Sequence, residues 1–169
     1  MKRFKVVVAG LIALASPVAA KEKAPTLTYD ANRKTATIIG ADHFGKGLLD
    51  RSTWRFALAI VDGQVRNPVL IYSSWTDDWY FFDHAADSDG NTLKVFVGPR
   101  DVDVPGLGVH ETSTVELTAD YVRTHRLTGM DIKFMGERGD KVVRIPSEAV
   151  TAFADGAVSI FKQFATPTK

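Results

Sequence analysis

Thr53-Trp54-Arg55-Phe56-Ala57-Leu58-Ala59-Ile60-Val61 is the stretch that decides the fold class. Trp54, Phe56, Leu58 and Ile60 fall on one side of an extended chain, and Thr53, Arg55, Ala57 and Ala59 fall on the other. A period of two places one face of a β-strand in a core, and no helical stripe collects the same residues as well. Asp62-Gly63 follows with turn chemistry, so residues 68–75 are expected to return as the antiparallel partner.

The same pattern extends outward in both directions. Residues 26–30 and 34–39 read as short strands around an Ala31-Asn32-Arg33 turn, and residues 40–49, with three glycines, read as a loop. Residues 79–84 read as a strand, Asp87-Ser88-Asp89-Gly90-Asn91 as a tight turn, and residues 92–97 as the returning strand. Residues 98–108 hold two prolines and three glycines and are expected to form a long loop before a Thr- and Val-rich strand at 109–117. Thr118 can cap a short helix that has Asp120 in its first turn and Gly129 just past its end. Residues 132–135 and 141–145 form a hairpin. Pro146-Ser147 opens a final helix whose docking face is Val150, Phe153, Ala157, Ile160 or Phe161, and Phe164, with Gly156 a candidate kink. The strands are not separated by helices, so a doubly wound parallel sheet is excluded. The expected architecture is a mainly β domain over residues 21–169. It is an antiparallel β-sandwich or partly open barrel of about eight strands, with a short helix and a C-terminal helix packed on it.

Residues 1–20 lie outside that pattern and read as a secretory signal peptide. Lys2, Arg3 and Lys5 precede an apolar run over residues 6–15, and Ser16-Pro17-Val18-Ala19-Ala20 supplies small residues for cleavage. The run is shorter than the roughly 20 residues a membrane-spanning helix needs. The segment holds three of the 21 Lys and Arg and none of the 20 Asp and Glu, so residues 21–169 carry a net −2. That balance speaks against a nucleic-acid partner. Cysteine is absent, which excludes disulfides, thiolate metal sites, thiol catalysis and a lipid-anchored lipoprotein. The expected location is the periplasm or exterior of a bacterium, with no membrane span after cleavage.

The pieces WYFFDHAADSDGNTL (residues 79–93), VHETSTVELTADYV (109–122) and GMDIKFMGERGDKVVRIP (129–146) resemble a pattern in small exported proteins of Gram-negative bacteria. The resemblance is carried by the stretch from Trp75 to Gly139, with the last piece continuing toward a terminal helix, and rests on aromatic and glycine positions. It implies a compartment, a fold and a terminal helix, and it implies no activity. Many of those proteins carry a lipobox cysteine, from which this chain departs.

Four groups of residues carry possible chemistry. Trp75, Trp79, Tyr80, Phe81 and Phe82 fall within eight residues. If residues 79–84 are a strand, both of its faces are apolar. The cluster is then either a central strand covered on both sides or a ligand or partner surface formed by Trp75, Trp79, Tyr80, Phe82 and His84. His43, His84 and His110 each adjoin an acid, and His125 stands apart, but no HExxH or HxH spacing occurs and no metal or other cofactor is expected. The acidic turn at residues 87–90 lacks the first and last ligands of a calcium loop. Glu111 shares its side of the 109–117 strand with Val109, Ser113, Val115 and Leu117. A carboxylate facing a core needs a partner, and Arg100 is the candidate for a structural ion pair. A frayed strand end in water and a catalytic acid are the alternatives.

Two functions of different classes follow. One is an exported binding or protein-interaction domain without catalytic activity, acting on an envelope protein or on a small apolar or sugar ligand. The other is a periplasmic hydrolase using scattered Asp, Glu and His. No GxSxG elbow or P-loop is present to favour the second.

Overall fold

The computed structural model describes residues 23–33, 35–45, 51–102 and 108–165. The expected signal peptide and its cleavage point lie outside them. The elements in chain order are β1 (Thr26–Asp30), β2 (Thr35–Ile39), β3 (His43–Phe44), β4 (Ser52–Val61), β5 (Gln64–Val65), β6 (Val69–Thr76), β7 (His84–Asp87), β8 (Thr92–Val102), β9 (Val109–Glu116), α1 (Ala119–Thr124), β10 (Met130–Gly136), β11 (Gly139–Ile145) and α2 (Ser147–Ala165).

The strands form one antiparallel sheet in the order β1-β2-β4-β6-β9-β8-β7-β10-β11. Strand β3 continues the β2 side of β4, and β5 continues its β6 side. The mainly β antiparallel class with two late helices is therefore observed, as one open sheet of eleven strands among the described residues where about eight were expected. Asp62 and Gly63 both take positive φ, at 51° and 77°, the pattern of a tight hairpin turn matched to strand twist.

The sheet curls strongly. Four inter-strand spacings separate β6 from β10, roughly 19 Å if the sheet were flat. Yet the rings of Tyr72 on β6 and Phe134 on β10 stack with centroids 4.8 Å apart. The inner faces of both halves thus close on one core. It includes Trp54, Phe56, Leu70, Tyr72, Phe82, Val115, Ile132 and Phe134. Helix α2 covers part of this core, with the Phe153 ring stacked on Phe56 at 4.9 Å. Val150, Phe153 and Ala157 are buried, and Ile160 and Phe161 pack partly against the core. Arg126, just past α1, grips both oxygens of Asp155 on α2 at 2.6 and 2.7 Å.

Four expectations are corrected. Residues 79–83 are not a strand, and β7 begins only at His84. Strand β8 does not stop at Val97. It runs through Gly98-Pro99 to Val102, with a bulge between Val97 and Arg100 that absorbs both residues. Of the rest of the expected loop, Gly108 is irregular and residues 103–107 lie outside the described residues. Helix α1 spans six residues, and Gly129 follows its His125 cap by four positions. Helix α2 continues unsplit through Gly156, where an added Cβ would come within 2.2 Å of the Pro25 ring, so the glycine there permits a close approach.

The acidic turn is a hairpin device. Asp87 Oδ1 accepts the backbone N–H groups of Asp89 and Asn91 at 3.0 and 2.8 Å, and Oδ2 accepts the Asn91 side-chain amide at 3.0 Å. Burial opposes ionisation of Asp87, but the hydrogen bonds from Asn91 and Asp89 outweigh it and hold the carboxyl below its ordinary range.

Candidate functional site

The site is built where the chain leaves β6 and must reach β7. Glu111 sits on β9 with its side chain on the core face, and only 2% of the residue is exposed. Its carboxylate meets a neighbouring strand on one side and an irregular stretch of chain on the other. Oε2 accepts the backbone N–H of Tyr80 at 2.8 Å, and Oε1 accepts that of Phe81 at 2.9 Å. Arg100, its cross-strand neighbour on β8, places Nε 3.3 Å from Oε1. Two adjacent backbone donors on one carboxylate cannot both point the same way from an extended strand, where successive N–H groups alternate. The chain therefore bends there, and Phe81 takes φ +58°, a left-handed conformation uncommon for a bulky residue.

Other contacts fix the same segment. Thr76 Oγ1 donates to the Asp78 carbonyl at 2.7 Å, and Asp78 Oδ1 accepts the Trp79 N–H at 2.9 Å. Arg138, in the β10–β11 turn, pairs with the Asp78 carboxylate. At Gly136 an added Cβ would fall 2.1 Å from the Tyr80 carbonyl oxygen, so only glycine lets β10 pass this close. Residues 77–83 form an irregular segment latched from β8, from β9 and from the β10–β11 hairpin.

The latch sorts the aromatic side chains. Phe82, expected on the ligand or partner surface, is corrected to the core. It is 1% exposed, lies edge-on to Tyr72 and Phe134, and its carbonyl accepts the Ser113 hydroxyl at 3.0 Å. Tyr80 is half-buried, stacked on Phe82 at 5.1 Å with the Lys141 ammonium 5.2 Å over its ring. Trp79 is half-buried beside Phe81, their centroids 6.1 Å apart, and the Arg100 guanidinium lies 4.9 Å over Phe81. Trp75 is elsewhere. It occupies the outer face of the sheet, stacked on its cross-strand partner His110 at 4.4 Å. His84 is exposed, with Nδ1 2.5 Å from Asp83.

The structure thus brings together Trp79, Tyr80, Arg100 and Glu111, stacks Phe82 beneath Tyr80 in the core, and sets Trp75 and His84 apart from them. Sequence reasoning missed the roles of Phe81, Asp78, Arg138 and Gly136. The signal that led toward them was Glu111, a carboxylate at a core position.

The histidines lie on separate elements with separate neighbours. His43 stacks on Trp54, and His125 contacts the Tyr121 carbonyl through Nδ1. Among the described residues no three His, Asp or Glu side chains gather where they could hold a metal ion. Tyr121 has its phenol pushed up to about 12, by burial first and then by Asp87, Asp89 and Asp131. No helix among the described residues is long and apolar enough to cross a membrane. Comparison with family models, with curated proteins and with solved structures finds no match to this chain.

Proposed function

We propose that the protein is an exported binding domain that uses the latched 77–83 segment, with Trp79 and Phe81 at its centre, to recognise a partner or ligand. The observation that carries this reading is the Glu111 carboxylate on two successive backbone N–H groups. Such a contact fixes a non-strand segment in one conformation while leaving its aromatic rings partly in water. Aromatic side chains held rigidly in advance lose little entropy on binding, which is what recognition surfaces require. Arg100, over Phe81, adds a fixed cation beside the rings. A planar apolar face next to a guanidinium suits an aromatic or aliphatic side chain of an envelope protein, or the face of a sugar. Export rests on the order of charged, apolar and small residues over 1–20.

The test uses the chain from Lys21 onward. The protein recovered from its own host is expected to begin at Lys21 by mass. Immobilised, it is exposed to envelope extract and to a panel of oligosaccharides, and bound species are titrated by tryptophan fluorescence. Trp79→Ala should weaken binding at least tenfold, about 1.4 kcal/mol, with an unchanged melting temperature. Phe96→Ala, an exposed site on the outer face of β8, should leave binding intact. Equal binding by Trp79→Ala and wild type, or no bound species at all, would sink the reading.

A further inference from the structure

We propose that the protein forms a symmetric dimer through antiparallel pairing of β11 with β11 of a second copy, centred on Val142. This inference is independent of the recognition reading. Strand β11 ends the strand path and, among the described residues, pairs only with β10. Its seven residues run in register with β10 without a bulge, and no proline interrupts them. The edge therefore offers a straight row of backbone donors and acceptors, which a second strand can complete.

The side chains select the occupant. Asp140, Val142 and Arg144 alternate along the outer face of β11 and are all exposed, Val142 by 55%. A two-fold axis through Val142 sets Asp140 of each copy opposite Arg144 of the other. It also places Val142 against Val142. Moving the axis by one residue, to Lys141 or Val143, pairs Val142 with Asp140 or with Arg144 and loses the charge match. An isologous contact must be self-complementary, and this register is.

The neighbouring charges extend the match. Lys133 on β10 holds Asp140 at 2.6 Å, and Asp131 lies 3.8 Å from Arg144. Across the interface the row becomes Asp131, Arg144, then Asp140 and Lys133 of the second copy, alternating in sign. The Arg144 side chain is 85% exposed and only loosely paired, so its guanidinium has room for a second carboxylate. Lysines on an edge ordinarily deter pairing. Here Lys141 is turned to the other face, with its ammonium over the Tyr80 ring.

Sedimentation equilibrium of the chain from Lys21 onward tests this, with circular dichroism as the check on folding. Wild type should sediment as a dimer. Asp140→Arg and Arg144→Asp, each leaving two like-charged contacts, should raise the dissociation constant at least tenfold. The double variant should return it toward the wild-type value, because the swapped charges match again. A wild-type monomer at about 100 µM, weaker than roughly 5.5 kcal/mol of association, would overturn the proposal. So would a dimer indifferent to both reversals, which would place the contact on another surface. A folded double variant that stays monomeric would also count against it.

Discussion

Glu111→Ala is expected to lower the unfolding free energy by about 3–5 kcal/mol, the scale of removing one partner from a buried charged contact. Three groups lose their acceptor together. The N–H groups of Tyr80 and Phe81 are held under the core side of the segment, and each buried orphan costs about 1–3 kcal/mol. Arg100 contributes less to the loss, because its side chain is 32% exposed and water can reach the guanidinium. The left-handed Phe81 also loses the contact that holds it there. Glu111→Gln keeps the shape and one carbonyl oxygen, so it should retain the fold with a smaller loss. Urea unfolding of the three proteins measures the series. Equal stability of Glu111→Ala and wild type would mean that the carboxylate is not the support described above.

Trp54→Ala should be comparably damaging, at about 3–5 kcal/mol, for a different reason. Trp54 is 7% exposed, stacked against His43 at 3.9 Å and set edge-on to Phe56 at 6.0 Å. Truncation leaves a large cavity in a core that the curled sheet can collapse only in part. Trp75→Ala removes a ring of similar size from the outer face, where water already reaches it and His110 is its stacking partner. Its expected cost is about 1–2 kcal/mol, the stacking term plus a partial burial term. Both residues are tryptophans on adjacent strands, and the face of the sheet that each occupies sets the difference. A loss on replacing Trp75 as large as that on replacing Trp54 would mean that the outer face is covered.

What could be read from sequence follows from which forces are local. The alternation at residues 53–61 was legible because burial on one face imposes it residue by residue, and β4, β6 and β9 all carry it. The turns at Asp62-Gly63 and at residues 87–91 were legible because their chemistry is contained within them. Residues 79–84 misled. Trp-Tyr-Phe-Phe is a good strand by propensity, and nothing inside it says otherwise. What bends it is a carboxylate about 30 positions later and a glycine at 136, both brought in by the fold. Gly98-Pro99 misled in the opposite sense, because a bulge against Thr112 on β9 lets a strand continue through two breakers. The register between Arg100 and Glu111 was within reach of parity reasoning. The backbone donors of Tyr80 and Phe81 were not, since every residue type carries the same N–H.

The central claim is that Glu111 holds residues 80 and 81 in one conformation, and amide hydrogen exchange at those two residues tests it most directly. Neither residue belongs to a strand or helix. A loop without such support exchanges near the rate of an open chain. The Tyr80 and Phe81 amides of the wild-type protein should be protected at least about 100-fold, like neighbouring strand residues, and Glu111→Gln should lose protection at these amides before it loses it in β9. Exchange of both amides at open-chain rates in the folded wild-type protein would contradict that claim, and with it the rigid presentation of Trp79 and Phe81 on which the binding reading stands.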